Sequence, residues 1–97
     1  MDKTAPNPPS NLNAVTTNGN KDTNVTGYAE IGSSVNVYVK NNNNGTAGAL
    51  IGTATADQAG NFTIKTNPAQ NNNTFLLVSA TDKAGNTSQF AQVTTNK

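Results

Sequence analysis

The five-residue phrase D-x-A-G-N occurs twice in this 97-residue chain, as Asp57-Gln58-Ala59-Gly60-Asn61 and as Asp82-Lys83-Ala84-Gly85-Asn86. A carboxylate in that place has two available chemistries. It can accept hydrogen bonds from backbone N–H groups two or more residues on, and so bend the chain. Alternatively it can ligate a hard cation, which takes about six to eight oxygens at roughly 2.3–2.6 Å. Only three other acids exist: Asp2, Asp22 and Glu30. The choice between bending and holding turns on which of these five share one end of the fold.

Other chemistries are thin. Cys, His and Trp are absent, which removes disulfides, thiolate and imidazole catalysis, and soft-metal sites. Ser33-Ser34 sits in a turn signal with no base, so an enzyme is not expected. The formal charge of +1 and the lack of a basic patch give no reason to expect nucleic acid or an anionic membrane. No apolar run approaches the roughly 18 residues of a spanning helix, and no signal-peptide pattern opens the chain. About a third of the residues are Asn or Thr, while only 11% are charged. Such a neutral, hydrogen-bonding surface suits a protein outside the cell. The expectation is an exported parent whose signal lies outside this segment, with Met1 a start codon added to an excised piece. Five N-x-S/T sequons (Asn24, Asn44, Asn61, Asn72, Asn86) are what an Asn- and Thr-rich chain produces by chance.

The elements that must position the acids are strands. Apolar residues nowhere recur with helical spacing over ten positions, and Asn, Thr and Gly are poor helix formers. Period-two alternation recurs instead. Val35, Val37 and Val39 point one way in residues 34–40 and Phe62 and Ile64 in 61–66, while 75–81 is apolar on both faces, which predicts a central strand. Weaker strands are expected at 11–17, 24–30, 49–56 and 89–95. Asn-Gly pairs at 18–19 and 44–45, Asn67-Pro68 and the Asn71–Asn73 run supply breaks. Seven short strands with turns between them read as an antiparallel β-sandwich. The proline-rich start makes residues 1–11 a stiff lead-in, with the domain at 12–97; the Asn41–Asn44 tract reads as a solvated loop.

In such an up-and-down sandwich, Glu30, Asp57 and Asp82 fall in loops at one end, and Asp2 precedes the first strand at that same end. Only Asp22 lies at the other. Like charges gathered there repel, with Lys3 and Lys83 nearby to offset them, and a hard cation would relieve the repulsion. Asp2, Glu30, Asp57 and Asp82 are therefore the candidate calcium ligands, beside the plain turn reading.

With these residues in place, the chain resembles the bacterial immunoglobulin-like (Big-type) repeats that occur in tandem in surface proteins and large adhesins. The matching pieces are "DKTAPNPP", "VTGYAEIGSSVNVYV", "IGTATADQAGNFTI" and "VSATDKAGNTS", in the family's order, although Ile31 stands where many repeats have Pro. The resemblance implies an all-β, immunoglobulin-like sandwich of about seven strands without a disulfide. It further implies a spacer or adhesive role at the cell surface, with neighbouring repeats as partners, a host or cell-wall ligand, and calcium near the junctions. In isolation the domain is expected to be monomeric. The alternative is a carbohydrate- or ligand-binding accessory module of a secreted enzyme. That reading usually needs a platform of exposed aromatics; Tyr28 and Tyr38 are expected to point outward from different sheets, and Asn41–Asn44 offers a loop.

Overall fold

The computed structural model describes residues 4–17, 22–40, 46–67, 69–71 and 73–96. Asp2, Lys3, the Asn-Gly turns at 18–19 and 44–45, the Asn41–Asn44 loop, Pro68 and Asn72 lie outside them.

Seven strands form: β1 Ser10–Thr17, β2 Asp22–Tyr28, β3 Ser34–Lys40, β4 Ala47–Thr55, β5 Asn61–Lys65, β6 Phe75–Thr81 and β7 Ala91–Asn96. They hydrogen-bond in the order β4-β3-β6-β7-β1-β2-β5. This ladder folds into two layers, β4-β3-β6-β7 facing β1-β2-β5, an immunoglobulin-like sandwich. One pairing is parallel: β1 meets β7, with Ala14 opposite Thr95 and Val15 opposite Asn96. The others are antiparallel. Hence β1, β3, β5 and β7 run one way, and β2, β4 and β6 the other. At the open side of the ladder the Asn67 N–H reaches the Ile51 carbonyl at 2.8 Å.

Alternation places the core. Ala14, Val25, Phe62 and Ile64 come from one layer and Val35, Val37, Ile51, Leu76 and Val78 from the other. Strand β6 lies between β3 and β7 and is buried from Leu76 to Ala80, as its two-sided apolar pattern predicts. The prolines of the lead-in do more than stiffen it: Pro6 and Pro9 are buried, and β1 begins at Ser10.

Boundaries differ from the sequence reading where loops claim the chain. Strand β2 runs two residues earlier than expected, because the Ala29 N–H turns to the Gly60 carbonyl at 2.8 Å and Glu30 opens a turn. The Ser33 N–H and Oγ both donate to the Glu30 carbonyl, at 3.0 and 2.7 Å. Strand β7 starts late, at Ala91, since Ser88 is held by β6: the Ser88 N–H donates to the Ala80 carbonyl at 2.8 Å, and its Oγ accepts the Ala80 N–H at 2.9 Å.

Candidate functional site

Strand directions bring the β2–β3, β4–β5 and β6–β7 connections to the end where β1 begins. Glu30, Asp57 and Asp82 thus occupy loops at one end. Backbone bonds lock the first two loops together: the Gly32 N–H donates to Ala56 O at 3.1 Å and the Ala56 N–H to Ser33 O at 3.0 Å.

The two D-x-A-G-N phrases have one geometry. Asp57 Oδ1 accepts the N–H of Ala59 and of Asn61, both at 2.9 Å. Asp82 Oδ1 accepts the N–H of Ala84 at 3.0 Å and of Asn86 at 2.9 Å. In each loop the Asp N–H donates to the Asn carbonyl, and the Gly N–H donates to the Asp carbonyl. Gly60 and Gly85 have φ of +82° and +91°, the left-handed region where a side chain is strained. The turn thus accounts for the acid and the Gly: the acid gathers two N–H groups and the Gly permits the reversal, while the Asn closes the loop through its backbone N–H and carbonyl.

Asp82 has one further bond, from Asn86 Nδ2 to its Oδ2 at 3.2 Å. Its carboxyl is held below the ordinary value of 3.8, first by the Asn86 N–H; partial desolvation opposes this, and the Asn86 side chain with the Ala84 and Gly85 N–H groups reinforces it. These donors stabilise the charged form.

Glu30 and Asp82 line one hollow of about 360 Å³, together with Ile31, Ser33 and Lys83. The Lys83 side chain crosses to the β2–β3 loop, its Cε 3.3 Å from where a Cβ on Gly32 would stand, so it lies over Gly32 in the same hollow. Asp57 does not line this hollow, and Asp2 lies outside the described residues. Among the described residues no three of Asp, Glu, His or Cys gather where they could hold a metal ion. By themselves these residues do not make a calcium cage.

At the opposite end Asp22 pairs with Lys65 at 3.3 Å. The two tyrosines lie on different layers, β2 and β3. Around Tyr38 the outer face of the four-stranded layer is more apolar than the two tyrosines suggested. Phe90 meets Tyr38 edge-on with ring centroids 5.6 Å apart, Leu50 lies opposite Tyr38 on β4, and Lys40 Nζ sits 5.3 Å from the centre of the Phe75 ring. Phe75 stands on β6, whereas Phe90 lies outside the strands, just before β7 begins at Ala91.

No curated protein matches the chain. The model of one family, the bacterial Ig domain, matches residues 5–97. Domains of this kind typically occur in surface or extracellular proteins. With the strand count, the sandwich and the match over nearly its whole length in agreement, the chain belongs to the bacterial Ig domain family.

Proposed function

We propose that this domain is a structural and adhesive repeat of a bacterial surface or secreted protein, a non-catalytic spacer in a tandem array. The parallel pairing of β1 with β7 carries this reading. Because both strands run the same way, the chain comes in at one end of the sandwich and goes out at the other, and copies joined in sequence extend rather than fold back. The long dimension is 45 Å. At the N-terminal end Ile31, 62% exposed, offers an apolar tip for the preceding copy.

Calcium belongs to this proposal only as a junction ion. Glu30 and Asp82 give two carboxylates at one hollow, short of the six to eight oxygens calcium takes. The remainder is assigned to Asp2 and to the neighbouring copy; Asp57, whose carboxylate makes the same turn as that of Asp82, does not line this hollow.

Small-angle scattering of one, two and three linked copies tests the spacer. The maximum dimension should grow by close to 45 Å per copy, and growth that stalls after the first copy would reject it. Calcium titrations of one copy and of a linked pair test the junction ion. Saturable amide shifts around Glu30 and Asp82 in the pair, with magnesium inert, are expected; a pair unmoved by several millimolar calcium leaves the spacer without an ion.

A further inference from the structure

The outer face of the three-stranded layer carries a trough of about 360 Å³, a size within the roughly 300–1,000 Å³ of small-ligand sites. Thr26 stands opposite Thr63 and Tyr28 opposite Asn61 across the β2–β5 pair. Alternation sends these four side chains outward, since Val25, Phe62 and Ile64, which alternate with them along the strands, face the core. Asn11, at a β1 irregularity with φ of +52°, completes the wall.

Three features of this trough point to one ligand chemistry. First, none of its lining residues is charged, so nothing in it compensates an anion or a cation. Second, Tyr28 is 45% exposed and carries a ring with a flat apolar surface and a polar tip. Third, the side chains of Asn11, Thr26, Tyr28, Asn61 and Thr63 make no hydrogen bonds with other described residues. The loop acids Asp57 and Asp82 and the buried Thr16, Thr23 and Thr95, by contrast, are committed to internal bonds. A ring beside two amides and two hydroxyls, each able to donate and accept, matches a neutral pyranose. Its C–H face stacks on the ring, and its vicinal hydroxyls bond the amides.

We infer that the trough beside Tyr28 is a binding subsite for a neutral polysaccharide. The larger aromatic cluster on the opposite layer fits a sugar less well. Tyr38 and Phe90 lie at 80° to each other, which leaves no flat platform, and Lys40 Nζ there is already bonded to Gln92 Oε1 at 2.8 Å. An open trough binds weakly, and repetition along an array supplies strength, since linked sites gain about 10²–10⁴ in avidity where the geometry allows. The subsite does not depend on the junction ion; only its avidity rests on the tandem array proposed above.

The test is a two-dimensional NMR titration of the domain with neutral hexasaccharides of glucose, mannose, galactose and N-acetylglucosamine, with a hexamer of galacturonic acid as the charged control. Saturable shifts are expected at Asn11, Thr26, Tyr28, Asn61 and Thr63 with at least one neutral glycan. Tyr28→Ala should weaken that binding severalfold, up to about tenfold, as loss of one stacked ring does. Tyr28→Phe should retain most of it, and Tyr38→Ala should leave it unchanged. Native amide spectra of each variant check that the fold is intact. No saturable shift with any neutral glycan at about ten times the millimolar range of weak sites, shifts centred on Tyr38 and Phe90, or tighter binding of the charged hexamer would each overturn the inference.

Discussion

At the scale of single residues, the repeated Asp is an organiser of N–H groups, and this has a consequence for acid stability. Asp82 accepts two backbone N–H bonds on one oxygen and an amide on the other, and its carboxyl is held below the ordinary 3.8, foremost by the Asn86 N–H. A group whose folded value is depressed contributes stability that is full above the unfolded value and is lost as pH falls through the folded one. For Asp82 that window lies below 3.8. Urea unfolding of the wild type and of Asp82→Asn, which keeps an acceptor but no charge, should therefore show a constant gap above that pH and a narrowing one beneath it. A gap that stays the same down to pH 2 would mean the charge adds nothing to the turn. The phrase itself was legible as a turn from Gly and Asn alone. What the chain could not disclose was that both oxygens of Asp82 are occupied, because that depends on where Asn86 Nδ2 swings once the loop closes.

At the scale of elements, the least legible feature is the long β5–β6 connection, which Asn67-Pro68 and the Asn run mark only as a break. The described part is pinned by buried threonines from three strands. Thr23 Oγ1 accepts the Gln70 N–H at 2.8 Å, donates to Gln70 O at 3.0 Å and lies 2.9 Å from Thr16 Oγ1. Thr95 Oγ1 donates to Asn71 O at 2.6 Å and accepts the Thr74 N–H at 2.7 Å. Alternation alone sends Thr16 and Thr23 inward, in phase with Ala14 and Val25, so their burial was readable; their partners were not, since these lie 47 to 54 residues away in sequence. The result is a core end with no buried side-chain N or O lacking a partner among the described residues. Thr23→Val, close in shape, removes the acceptor that the Gln70 N–H uses and should cost about 1–3 kcal/mol in urea unfolding. The exposed pair from Thr53 Oγ1 to Asn36 Oδ1 is the internal control, and Thr53→Val should stay within about 0.5 kcal/mol. If the two substitutions cost the same, the threonine network is decoration and the connection is held by something else.

At the scale of the whole molecule, the same parallel pair that makes the domain linkable also sets how it resists being pulled. Strand β1 begins at one end and β7 finishes at the other, side by side. Tension applied through the two termini drives these strands past each other along their length. The evenly spaced bonds of a parallel ladder are then loaded together rather than one at a time. Tension applied where β1 ends and β7 ends, both at the far end, peels the pair open from one side instead. Forced unfolding is governed by the barrier to opening and not by the equilibrium stability, so the two directions should differ although the folded state is the same. Handles attached through Ser10→Cys and Asn96→Cys should give a distinctly higher unfolding force than handles attached through Thr17→Cys and Asn96→Cys, at one loading rate and with unchanged urea midpoints. Equal forces in the two geometries would show that the β1–β7 pair is not what bears the load, and the case for a domain shaped to carry tension along an array would then rest on its elongated shape alone.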